Sequence, residues 1–130
     1  MKNLNFSIGI LSWKGYASLY NSLKSYQENG LNSLTHSKFI CLPEYNNEGI
    51  KICKNFGYKP ILFKKNIGIL NGFKNLALNM PDGPLLLLEN DLSLVTDDKT
   101  THTLLKQSLE HLYKYKAAQV RLRSIKDPGE

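Results

Sequence analysis

The chain has only two cysteines and no uninterrupted apolar run longer than four residues, as at Leu85–Leu88. A membrane-crossing helix needs about 20 apolar residues in a row, so no membrane span is expected. Cys41 lies in an apolar run and Cys53 on the apolar side of a helical pattern. Both read as buried thiols rather than as a disulfide or a metal pair. His36, His102 and His111 are scattered without ligand spacing and receive no chemistry. The apolar start, Phe6 to Leu11, is followed by Trp13-Lys14-Gly15 and not by a small-residue cleavage site. It reads as a strand, and a cytoplasmic protein is expected.

Two nucleotide motifs are missing as well. No Gly-x-x-x-x-Gly-Lys-Ser/Thr occurs, and no Gly-x-Gly-x-x-Gly follows the first strand, where the crossover SWKGYASL has a single glycine. A backbone cradle for pyrophosphate is therefore not expected there. There is no block of five or six basic residues either, although the formal net charge is +6. An excess of that sign suits an anionic partner: nucleic acid, membrane lipid or a small phosphorylated ligand. The sequence pattern does not suggest basic residues and aromatics interleaved as a base-stacking platform, so nucleic acid is not expected.

What is present is an ordinary globular composition, 42% hydrophobic and 22% charged, over a length of one domain, residues 1–130. Strand and helix patterns alternate along it. Strands are expected at Phe6–Ser12, Lys38–Leu42, Pro60–Phe63, Leu85–Leu88 and Gln119–Arg123. The first helix carries Tyr16, Leu19, Tyr20, Leu23 and Tyr26 at helical spacing and ends at Gly30. The second is capped by Asn46 or Asn47, turns Ile50, Cys53 and Phe56 inward and ends at Gly57. The third places Leu70, Phe73, Ala77 and Met80 inward and stops at Pro81-Asp82-Gly83-Pro84. The fourth carries Leu104, Leu105, Ser108, Leu109 and Leu112. This alternation predicts an α/β fold, a Rossmann-like parallel sheet with helices on both faces. The runs ILS, FICL, ILF and LLLL suit strands buried on both sides.

The stretch PLLLLENDLSLV, Pro84–Val95, breaks from four leucines into Glu89, Asn90 and Asp91. In a doubly wound sheet the first and fourth strands are neighbours where the winding reverses, and ligands bind beyond their carboxyl ends. The acidic tripeptide would stand at that point beside Ser12. Carboxylates repel a phosphate, but through Mn²⁺ or Mg²⁺ they can hold one, since hard cations take a few carboxylates plus phosphate oxygens and water. Asp91 is the expected metal ligand. Glu89, two residues earlier on the same side of an extended chain, is placed to accept from ribose hydroxyls.

The segment NIGILNGFKNLALNMPDGPLLLLENDLSLV resembles the second half of the nucleotide-binding domain of A-type glycosyltransferases, especially those like family 2. Its Asn-x-Gly leads into a helix with a further Asn, then an acidic turn, then an apolar strand ending in acidic-x-Asp. FSIGILSWKGYASLYNSLKSY looks like that family's first strand and helix. The resemblance implies that Leu11, Ser12 and Trp13 line a nucleobase pocket and that Glu44 contacts base or ribose. It implies that Asn66 and Gly68 wall the nucleoside and that Asn75 is the helix asparagine. Glu89, Asn90 and Asp91 would form the acidic motif, with Asp91 on the metal. The ligand so implied is a nucleoside-diphosphate sugar, and the reaction is transfer of its sugar to a glycan or other hydroxyl acceptor.

Three features depart from that pattern. Pro43-Glu44 stands where the family has Asp-Asp or Asp-Gly, and Glu89 has one methylene more than the usual Asp. The acceptor-binding half with its general base would follow the fifth strand, so the chain corresponds to the donor-binding half and no catalytic base is assigned. Glu110, Asp127 and Glu130 have no positioning motif, and Arg121 and Arg123 read as a solvent-facing edge. A non-catalytic nucleotide-sugar-binding module is the alternative expectation.

Overall fold

A computed structural model describes residues 3–122. Four parallel strands, β1 (Ser7–Leu11), β2 (Lys38–Pro43), β3 (Lys59–Phe63) and β4 (Leu85–Glu89), form one sheet in the order β3-β2-β1-β4. The helices are α1 (Tyr16–Glu28), α2 (Asn47–Phe56), α3 (Gly68–Asn79) and α4 (Asp98–Lys114), with a short 3₁₀ turn at Leu31–Ser33. The expected α/β architecture is what the chain adopts, and β1 and β4 are neighbours, with Leu11 opposite Glu89.

Strand parity sorts the core into two layers. Ile8, Ile10, Ile40 and Leu42 face Tyr16, Leu19, Leu23 and Tyr26 of α1 and Ile52 and Cys53 of α2. Leu11 and Cys41 point the other way, onto Leu76 and Met80 at and just beyond the end of α3. Two steps in one direction with helices on one face, then a return with the helix on the opposite face, is what right-handed crossovers require. Both thiols are buried, as expected, and burial pushes each up to about 11.

The structure changes three expectations. Leu70 of α3 is 82% exposed and Ala77 is exposed too, whereas Gly72 and Leu76 face inward. Gly72 sets this rotation: a Cβ there would lie 2.5 Å from Leu11 Cδ1, so the bare backbone is the part that meets the sheet. Of the four leucines of β4, Leu85, Leu86 and Leu88 are half buried and Leu87 is exposed, because β4 is an edge strand with β1 on one side alone.

The third change concerns the fifth strand. Residues 119–122 form no strand, and Arg123 lies outside the described residues. Leu105 of α4 joins the α1 layer. A right-handed crossover leading outward from β4 to a further parallel strand would instead need α4 on the α3 face.

Asp97 caps α4, its carboxylate accepting from the Thr100 N–H at 2.7 Å. That bond holds the carboxyl below its ordinary 3.8. A depressed folded value means stabilisation that is present above 3.8 and lost as pH falls through the folded value. The melting-temperature gap between the wild type and Asp97→Ala should therefore be constant at neutral pH and close under acid. A gap that widens below pH 3.8 would contradict the capping role.

Candidate functional site at the carboxyl edge of the sheet

The carboxyl ends of parallel strands share one edge, and the loops there carry most of the expected site residues. β1 runs into Ser12, Trp13 and Lys14, β2 into Glu44 and Tyr45, and β4 into Glu89, Asn90 and Asp91. Backbone conformation is unusual at two of these ends. Lys14 has φ 56 and Glu44 has φ 47, left-handed values that cost a non-glycine residue about 1 kcal/mol or more. The two residues meet: Lys14 Nζ lies 3.2 Å from Glu44 Oε2. The pair is half exposed, so its contribution to stability is small, but it ties the β1 loop to the β2 loop.

Gly15, φ 61, continues the left-handed turn into α1, whose first turn has no side-chain cap. Asn90 reaches across from β4 and donates from Nδ2 to the Gly15 carbonyl at 3.3 Å. A side chain at position 15 would strike that amide, its Cβ lying 2.7 Å from Nδ2. The reversal point is thus bridged by Asn90. On either side of it in sequence, the carboxylates of Glu89 and Asp91 are exposed.

The chain leaving β4 is held by a row of polar groups on α1. Ser22 donates to the Asn90 carbonyl at 2.8 Å, and Tyr26 donates to the Leu92 carbonyl. Ser25 Oγ accepts from the Leu94 N–H at 2.9 Å, and Asn29 donates to the Leu94 carbonyl at 3.1 Å. Side chains at i, i+3, i+4 and i+7 share one helix face, and the backbone of residues 90, 92 and 94 meets them. Residues 90–94 therefore take from α1 the hydrogen bonds that a sheet neighbour would otherwise supply. Residues 90 and 91 form a turn, so the extended chain expected to set Glu89 and Asp91 on one side is not what the structure has. Burial raises the Tyr26 hydroxyl to about 12, so it stays a donor at any physiological pH. Tyr26→Phe would remove the bond to the Leu92 carbonyl and should cost about 0.5–1.5 kcal/mol in urea unfolding. An unchanged midpoint would show that this row does not hold the loop.

The other expected residues are placed as follows. Leu11 is buried under α3, and Ser12 is wholly buried with its hydroxyl donating to the Lys14 carbonyl at 2.9 Å. They shape the edge from beneath, whereas Trp13 stands 51% exposed above it. Asn66 accepts from the Gly68 N–H at 2.9 Å and turns the chain into α3. That loop leaves β3, three strand spacings or about 14 Å from β4. Asn75 lies two turns into α3, about 10 Å along the axis from Gly68. Its amide donates to the Asn71 carbonyl at 2.8 Å. The structure therefore gathers Ser12, Trp13, Glu44, Glu89, Asn90 and Asp91 at one edge, and leaves Asn75 apart.

Reading the sequence missed Lys14, Gly15 and the α1 row. The row had a signal, since Ser22, Ser25 and Asn29 fall at helical spacing beside Tyr26. The left-handed φ at Lys14 and Glu44 had none.

Two further features bear on ligands. A groove of about 470 Å³ runs between α1 and α2, lined by Tyr16, Tyr20, Glu48 and Lys51 among others, and includes none of the β4-end residues. Among the described residues no three His, Cys, Asp or Glu side chains come together as a metal site. A cation at Asp91 would therefore hold one or two carboxylates and complete its shell with ligand oxygens and water, the mode typical of Mg²⁺ on phosphates. Comparison with known proteins finds no matching family model, no matching curated protein and no matching solved structure.

Proposed function

We propose that this chain is the donor-binding domain of a glycosyltransferase, taking a nucleoside-diphosphate sugar together with Mn²⁺ or Mg²⁺. One observation carries the reading: two exposed carboxylates flank Asn90 at the end of β4, beside β1, at the point where the sheet reverses its winding. Asp91 would hold the cation, and Glu89, the last residue of β4, would contact the ribose. The bound cation would neutralise the charge of the departing diphosphate. Trp13 offers an exposed ring for the base, and Lys14 and Glu44 fix the loops on which it stands.

The edge residues named here would bind and orient, and none of them is assigned to deprotonate an acceptor. Glu44 is engaged by Lys14, and Glu89 and Asp91 are assigned to ribose and metal. That distribution favours a second reading, a nucleotide-sugar-binding module without turnover of its own.

The test is a thermal-shift panel of nucleoside diphosphates and their sugars, each with and without Mn²⁺. A ligand that binds only the folded state raises the melting temperature. Stabilisation that requires both metal and diphosphate is expected. No response to any nucleotide, with or without metal, would refute both readings. Sugar transfer in the same samples separates the transferase from the module.

A further inference from the structure

The positive charge is unevenly distributed. Residues 99–122 contain Lys99, Lys106, Lys114, Lys116 and Arg121 against a single acid, Glu110, and so carry most of the formal +6. All five basic side chains are exposed. On α4 the buried row is Thr101 and Leu105, with Leu109 and Leu112 partly covered, so Lys106, Glu110, Tyr113 and Lys114 lie on the outward face.

Apolar and aromatic groups are mixed into this patch, and at Tyr113-Lys114-Tyr115-Lys116 basic and aromatic residues do alternate, contrary to the expectation from the sequence pattern. Tyr113 and Tyr115 are each 64% exposed and Leu122 is 51% exposed. Tyr115 packs edge-on against His111 with ring centres 5.5 Å apart, and Lys114 Nζ lies 5.3 Å from the Tyr115 ring centre. A cation at the carbonyl end of a helix is favourable in itself, which accounts for Lys114. It does not account for Lys116 and Arg121 beyond the helix, nor for two tyrosines and a leucine left in water beside them.

We propose that the carboxyl end of α4 and the chain following it, from Lys106 to Leu122, dock on an anionic lipid bilayer surface. Tyrosine suits the headgroup level, where its ring is half solvated, and leucine suits the acyl boundary below. Lysine stems lie along the apolar boundary with their ammonium groups among the phosphates. Nucleic acid is the poorer fit. A base-stacking platform lines up ring faces in a groove, whereas Tyr115 packs edge-on against His111 and exposed Leu122 has no counterpart on a phosphate backbone. The docking is independent of the donor site, because none of these residues belongs to the β1, β2 or β4 ends.

The test is flotation of the full chain with phosphatidylcholine vesicles, with and without phosphatidylglycerol, against a single-stranded oligonucleotide at the same salt. Binding should require phosphatidylglycerol and weaken as salt rises. Each basic residue at an anionic surface contributes about fivefold, so Lys114→Glu with Lys116→Glu should cut binding by about 25-fold or more. Lys64→Glu with Lys65→Glu changes the net charge equally on the β3–α3 loop and should leave binding near wild type. Tyr113→Ser with Tyr115→Ser, which keeps the charge, should weaken it several-fold.

Four results would overturn the proposal: no binding to anionic vesicles, equal loss in the two lysine pairs, tighter retention on the oligonucleotide than on vesicles, or equal binding to pure phosphatidylcholine. A blue shift in the emission of Trp13, the chain's single tryptophan, would also do so, by showing that the strand-end edge is what meets the lipid.

Discussion

Asp91→Ala is expected to erase the metal-dependent stabilisation by nucleoside diphosphate while leaving the melting temperature of the free protein nearly unchanged. Both halves follow from where Asp91 sits. Its carboxylate is exposed and lies on the turn that ends β4. Exposed side chains without structural partners change stability by about 0.5 kcal/mol or less when removed. A ligand at a hundred times its dissociation constant contributes about 2.7 kcal/mol, roughly 10 °C for a domain of this size. The variant should therefore forfeit the whole ligand response and almost none of the intrinsic stability. Asp91→Asn keeps the shape, removes the charge and should behave in the same way. A full response in either variant would remove Asp91 from the site.

Leu76→Ala should be the most damaging single change on the α3 side of the sheet. Leu76 is fully buried and shares its layer with Leu11, Cys41 and Met80. α3 is the helix covering that face, so the neighbours have little freedom to close the cavity. The expected loss is about 3 kcal/mol, measured by urea unfolding. Leu70→Ala, on the same helix but 82% exposed, should cost about 0.5 kcal/mol or less. Equal losses at the two positions would mean that α3 is rotated relative to its described seat.

That pair of leucines also shows where the sequence was legible and where it was not. A period near 3.6 announced α3, but several apolar faces satisfied it, because Leu70, Leu76, Ala77 and Leu78 surround the helix. The face was chosen by Gly72, whose missing side chain lets the backbone approach Leu11, and glycine adds nothing to an apolar pattern. Strand order was legible from the alternation together with the usual order of a doubly wound sheet, which places β4 beside β1. The edge position of β4 was not: four leucines suggested a strand covered on both faces, yet a sequence does not record how many neighbours a strand has.

The Glu89-Asn90-Asp91 break was legible as the end of a strand at the carboxyl edge of the sheet, and it stands there. The attachments that fix it were not read. Asn90 to Gly15, and Ser22, Ser25, Tyr26 and Asn29 to residues 90–94, join positions roughly 65 to 75 apart in the chain. Local pattern carries no such pairing. The same loop explains why polar residues can follow an apolar strand without loss of order: their backbone is bonded to α1 while Glu89 and Asp91 remain exposed.

Paramagnetic broadening by Mn²⁺ in amide-resolved spectra of the isotope-labelled protein tests the central claim most directly. With a nucleoside diphosphate present, low Mn²⁺ should broaden Glu89, Asn90 and Asp91 first, then Trp13 to Tyr16, and spare Asn75 and the far end of α4. Broadening centred on any other acidic residue, or none at the end of β4, would contradict it.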